Sequence, residues 1–149
     1  DNALTTSTFT SGRLNPGFGD KVTSMMGNLF VKYGGLESFT TFESANGRGR
    51  TETTGERAAS QIATDLVYRF GKNEDFWVGA RYNVVNARLS GYTEDVTVDR
   101  LAVSAGWFVT KNIMAKLEYV TQNYDGFVDT DIRNGGKFSG LALQAVVGF

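Results

Sequence analysis

The C-terminal twelve residues, Phe138–Phe149, read FSGLALQAVVGF. Leu141, Leu143, Ala145, Val147 and Phe149 are apolar and stand two apart. Ser139 and Gln144 are assigned to the other side, with small residues. A period of two is the mark of a strand with two unlike faces, because successive Cβ atoms point to opposite sides of a sheet. The last position of that pattern is a large aromatic on the greasy side.

The same period recurs along the chain. Leu29, Val31 and Tyr33 alternate with Asn28, Phe30 and Lys32. Leu36 and Phe42 stand opposite Glu37 and Glu43 in Leu36–Ala45, and Ile62, Leu66, Tyr68 and Phe70 stand opposite Asp65 and Arg69 in Ser60–Phe70. Phe76, Val78, Ala80, Tyr82 and Val84 oppose Gly79, Arg81 and Asn83. Leu101, Val103, Ala105, Trp107 and Val109 oppose Arg100, Ser104 and Gly106. Ile113, Ala115, Leu117 and Tyr119 oppose Lys116, Glu118 and Gln122. With the C-terminal run, this predicts seven strands, each of about ten residues. Glu56–Phe70 also fits a helix through Ala58, Ala59, Ile62 and Leu66. The other alternating runs favour a strand there.

The connections alternate as well. Gly34-Gly35, Gly71–Asp75 and Thr110–Asn112 are short; Asn46–Ala59, Ser90–Asp99 and Asp125–Lys137 are long and polar. Short turns at one end and long loops at the other are expected of an up-and-down barrel in an outer membrane. The fold class predicted is therefore all-β, an antiparallel up-and-down transmembrane β-barrel. A soluble sandwich or lipocalin-like barrel is the alternative, and alternation alone does not separate the two.

Three features favour the membrane. The apolar runs approach the nine to eleven residues of a tilted spanning strand. Aromatics gather near the short turns: Tyr33, Tyr68, Phe70, Phe76, Trp77, Trp107, Phe108 and Phe149. Such rings form girdles at membrane–water interfaces. The opposite face carries Lys32, Asp65, Arg69, Arg81, Arg100, Lys116 and Glu118, whose burial in a dry core would be costly. These seven are the candidate lumen-lining residues. Tyr33, Tyr68, Phe70, Phe76, Trp107, Leu141, Leu143, Val147 and Phe149 are the candidate lipid-facing or girdle residues.

Composition excludes several chemistries. The chain has no cysteine and no histidine, so disulfides, Ser-His-Asp triads and Cys/His zinc sites are impossible. A net charge of −1 offers nucleic acid no electrostatic footprint. Asp125–Gly136, DGFVDTDIRNGG, has closely spaced aspartates but lacks the terminal Glu of a calcium loop and reads as a solvated loop. No cofactor, no metal and no enzymatic activity are expected.

The terminal strand with its final Phe resembles the β-signal of bacterial outer-membrane proteins. RLNPGFGDKVTSMMGNLFVKYGGLE, DLVYRFGKNEDFWVGARYN, GWFVTKNIMAKLEYV and GGKFSGLALQAVVGF resemble the C-terminal part of porin-type barrels of Bacteroidota, the phosphate-selective-porin-like family. The resemblance runs from Arg13 onward. It implies a porin for passive diffusion of small hydrophilic solutes, with outer-membrane lipid, the barrel-assembly machinery and other outer-membrane subunits as partners. Wall cations raise an anion preference, with cross-strand ion pairing as the bland alternative. The runner-up function is a non-conducting scaffold barrel with a side-chain-filled lumen. Seven strands is odd, whereas single-chain bacterial barrels are even. Residues 1–149 therefore read as one barrel domain or, preferably, as the C-terminal segment of a larger one. Within it, 1–21 is an extracellular loop or a weak first strand (Leu4–Thr10), and 22–149 holds the seven strands.

Overall fold

The computed structural model describes residues 14–53 and 55–148. They form a single antiparallel sheet whose seven strands lie in chain order: β1 (Lys21–Tyr33), β2 (Leu36–Arg48), β3 (Arg57–Phe70), β4 (Phe76–Ala87), β5 (Val96–Thr110), β6 (Ile113–Asp125) and β7 (Lys137–Val147). No helix occurs among the described residues. The helical reading of Glu56–Phe70 fails because β3 is held between two neighbours: Ala59 pairs with Ala45 on β2 and with Ala87 on β4. Ladder hydrogen bonds on both sides outweigh a weak helical spacing of alanines.

The strands run further into the long connections than the alternation indicates. β1 begins at Lys21 and β5 at Val96, where polar residues blur the period. The turns behave as their residues dictate. Gly34 takes φ +56 at the first position of the two-residue β1–β2 turn, a backbone that favours glycine. Gly35 is held in place by the sheet: the Arg69 N–H donates to its carbonyl at 2.8 Å, and a Cβ on Gly35 would stand 2.3 Å from the Arg69 carbonyl oxygen.

β1 and β7 are the two edges, and they do not pair with each other. The sheet is thus open. The weak strand read at Leu4–Thr10 and the terminal Phe149 lie outside the described residues.

Register assigns the faces, because directly paired residues share a side. Tyr33, Leu36, Tyr68, Val78, Ala105, Leu117 and Leu143 form one cross-sheet row. The next row, Lys32, Glu37, Val67, Gly79, Ser104, Glu118 and Ala142, lies on the other face. Two sequence assignments are corrected. Trp77 and Phe108 are on the charged face, since each adjoins an aromatic, Phe76 or Trp107, that points the other way. Ser139 lies on the Leu141 face rather than with Gln144, as its even separation from Leu141 requires.

Candidate functional site

The apolar face carries a belt that starts at the short turns. On β3, β4 and β5 it covers Ile62–Phe70, Phe76–Val84 and Leu101–Val109, nine residues each. No Asp, Glu, Lys or Arg points to that face within these spans. Nine residues extend about 30 Å along a strand, or about 23 Å once the strand tilts by about 40°. Tyr68, Phe70, Phe76 and Trp107 stack side by side at centroid distances of 6.1, 5.8 and 5.8 Å along its short-turn margin. Lys21, Asp99, Asp125 and Lys137 stand on the same face only beyond the belt, towards the long loops.

The belt is more exposed than the charged face. On the inner strands Trp107 and Leu117 are each 47% exposed, whereas the Arg69, Lys116 and Glu118 side chains are 31%, 23% and 24% exposed; Arg81 and Lys32, at 53%, are as open as the belt. A water-soluble half-buried sheet does the reverse. Along β3 to β6 the charged face is the more sheltered of the two.

All seven charged candidates lie on that sheltered face, on five strands. Reading from the short turns, one row is Arg69, Trp77, Gly106, Lys116 and Gln144. Two rows further up stand Asp65, Arg81 and Ala102, and above them Asn83, Arg100 and Gln122. Ion pairs thread the surface: Lys32 to Glu37 at 2.7 Å, Arg69 to Glu37 at 3.5 Å, Arg81 to Asp65 at 3.3 Å and Lys116 to Glu118 at 2.6 Å. Arg100 instead donates to Gln122 Oε1 at 3.4 Å. Gly79, Ala102 and Ser104 have little or no side chain. They floor a trough of about 480 Å³ rimmed by Asp65, Arg81, Arg100, Lys116 and Glu118.

Eight of the nine belt candidates (Tyr33, Tyr68, Phe70, Phe76, Trp107, Leu141, Leu143 and Val147) share the opposite face. The ninth is Phe149, which lies outside the described residues.

At the long-loop end the charged face changes character. Val96, Val98 and Tyr124 pack with Leu89 and Phe127 from the β4–β5 and β6–β7 loops, and Leu14 and Tyr92 close over them. Phe127 meets Tyr92 and Tyr124 edge-on at 6.4 and 6.1 Å. Arg133 lies over the Phe127 ring at 4.5 Å and pairs with Asp131 at 2.6 Å. That hydrogen bond is the main reason the Asp131 carboxyl is held down to about 2. Burial and the bond that Tyr92 donates to Asp131 push the Tyr92 hydroxyl up. Within the loop read as solvated, Asp131 pairs with Arg133 and Asp129 accepts from Asn134.

Arg57 ties the rest of that end together. Its guanidinium grips both oxygens of Glu52, at 2.7 and 3.0 Å, and donates to the carbonyls of Pro16 and Arg88 at 2.7 and 2.6 Å. It also lies over the Phe18 ring at 5.2 Å. Arg57 and the Gly49 N–H hold the Glu52 carboxyl at about 2. Neither Arg57 nor the loop aromatics were legible in the alternation, since they act at the ends of strands. The signal was the presence of Tyr92 and Phe127 in otherwise polar loops.

No family model matches the chain, and no curated protein matches it.

Proposed function

We propose that this sheet is part of the wall of a transmembrane β-barrel in a bacterial outer membrane, and that the barrel is porin-like. Its apolar belt faces lipid, and Lys32, Asp65, Arg69, Arg81, Arg100, Lys116 and Glu118 face a water-filled lumen. Small hydrophilic solutes diffuse through passively, with wall charge and width setting selectivity. One observation carries the reading: uncharged, largely apolar side chains occupy one exposed face over nine-residue spans, while the charges stand on the opposite face, where Arg69, Lys116 and Glu118 are the less exposed. The belt height agrees with the roughly 25 Å apolar band of such barrels. In water, a face of that kind would be an aggregation liability.

The likeness to porin-type barrels of Bacteroidota belongs to the same reading, with the barrel-assembly machinery acting on the C-terminal strand. The cluster at Leu89, Tyr92 and Phe127 favours a second version, a non-conducting barrel obstructed at the long-loop end. Single-channel recording in planar bilayers separates the two. Stepwise conductance supports the porin, and silence from correctly inserted protein supports the obstructed barrel. Extraction from cell envelopes by urea without detergent would defeat both.

A further inference from the structure

We infer, on the reading of the sheltered face as the wall of a lumen, that the Trp77 indole is a stacking plate for a neutral sugar ring, a pyranose unit of a saccharide that pauses there.

The indole has one covered side and one open side. A Cβ on Gly106 would run into its Cε2, Nε1 and Cζ2 atoms, and a Cβ on Gly79 would come within 3.4 Å of its Cζ3. The ring therefore lies flat along the sheet, with one side pressed on the Gly106 backbone and the other turned away from it. Trp77 is only half-buried. Among the described residues no ring and no cation stacks on it, and its indole N–H donates to no protein acceptor. A small polar side chain would line an aqueous wall without leaving apolar surface in water. A flat ring held open on that wall instead matches a solute that covers it.

The surroundings select the solute. Arg69 on β3 and Lys116 on β6 stand in the same cross-sheet row as Trp77 and Gly106. Each is one strand spacing, about 5 Å, beyond the nearer of the two. Arg69 faces Glu37 at 3.5 Å, and Lys116 pairs with Glu118 at 2.6 Å; Glu37 also takes Lys32 at 2.7 Å. Each cation flanking the ring is thus matched by a carboxylate, so an anion finds no uncommitted charge there. A cation drawn to the ring face would be opposed by Arg69 and Lys116. In the next row Ser104 offers a hydroxyl with no protein partner among the described residues. An apolar plate rimmed by fixed donors and acceptors suits a neutral solute with an apolar face and hydroxyls at its edge. A pyranose has that form. Its weakly positive C–H groups meet the negative face of the indole, while its hydroxyls reach Arg69, Lys116, Glu118 and Ser104. The trough of about 480 Å³ floored by Gly79 and Ser104 opens in that next row, where an adjoining sugar unit can lie.

The chain has two tryptophans, and Trp107 belongs to the belt, so Trp107→Phe leaves Trp77 as the one indole. The full chain in detergent micelles is titrated with maltotriose, cellotriose and xylotriose. At least one of them should change the Trp77 emission, saturating at about 1–10 mM, a range in which a solute is held and still released. Saturation-transfer NMR on the unaltered protein should be strongest at the C–H protons of one sugar face. Trp77→Leu, which keeps an apolar side chain but removes the plate, should weaken binding at least about tenfold, and Trp77→Phe should retain part of it. Heat-modifiable mobility confirms that each variant is folded. No response to any of the three sugars at about tenfold above that range overturns the inference. So does a folded Trp77→Leu chain that binds as well as the parent, and so does emission that responds to sodium phosphate or choline chloride but to no sugar. Binding in micelles is read apart from conductance. Current without sugar binding overturns this inference alone, and sugar binding without current overturns the porin reading alone.

Discussion

The Trp77 indole lies flat against Gly106 on the neighbouring strand. A Cβ at position 106 would stand 2.2 Å from the Trp77 ring. Glycine at 106 is therefore a packing requirement, and it gives a large aromatic room to lie down on the sheltered face. Gly106→Ala should destabilise the protein by about 1–3 kcal/mol, the usual cost of overpacking. Gly79→Ala should cost less, because its nearest contacts are at 3.3–3.4 Å. Urea unfolding in detergent measures both. Combining Gly106→Ala with Trp77→Ala should recover part of the loss, and full additivity would mean that the two residues do not interact.

Leu143 and Gln144 are sequence neighbours on opposite faces. In lipid, Leu143→Arg should destabilise by about 2–4 kcal/mol, while Gln144→Arg costs under about 1 kcal/mol. In a soluble sheet, arginine at a position 80% exposed would be nearly neutral. Equal costs at the two sites, measured by folding into vesicles, would reverse the assignment of the faces.

Arg81 and Asp65 meet at 3.3 Å with side chains 53% and 32% exposed. Such a pair contributes about 0–1 kcal/mol to stability, and Arg81→Glu, which sets a carboxylate directly opposite Asp65, should destabilise by about 1–2 kcal/mol. It turns one wall cation into an anion within the trough. The reversal potential in a salt gradient should shift towards cation preference. No shift would place the conducting path elsewhere.

Acid should loosen the long-loop end. Asp131 and Glu52 are both held at about 2 in the folded protein, chiefly by hydrogen bonds from Arg133 and Arg57. In an unfolded chain such carboxyls titrate at about 4. A depressed folded value means that the stabilisation is complete above about pH 4 to 5 and is lost as pH falls through about 2. Proteolysis by an acid-active protease in the loops 49–56 and 126–136 should rise over that window. Asp131→Asn and Glu52→Gln should raise cleavage already at about pH 5, above that window, and flatten its pH dependence.

Phe149 is the last residue of the alternating run that resembles an insertion signal. Its deletion should lower the amount of folded protein in the outer membrane several-fold while leaving synthesis unchanged. Heat-modifiable mobility on gels reads the folded fraction. Wild-type accumulation of the truncated chain would remove that role.

The sequence by itself determined the existence of all seven strands, the opposition of Arg81 and Arg100 to Val78 and Leu101, and the alternation of short and long connections. Those features are local: a period of two and a glycine turn need no partner to be read. The tertiary structure alone decided where the strands begin, which residues stand side by side, and what the long loops do. Trp77 over Gly106, Arg57 across Pro16 and Arg88, and Phe127 folded onto Val96 all join residues 29 or more positions apart. Contacts at that separation depend on register and on sheet curvature, which arise only when the strands pair.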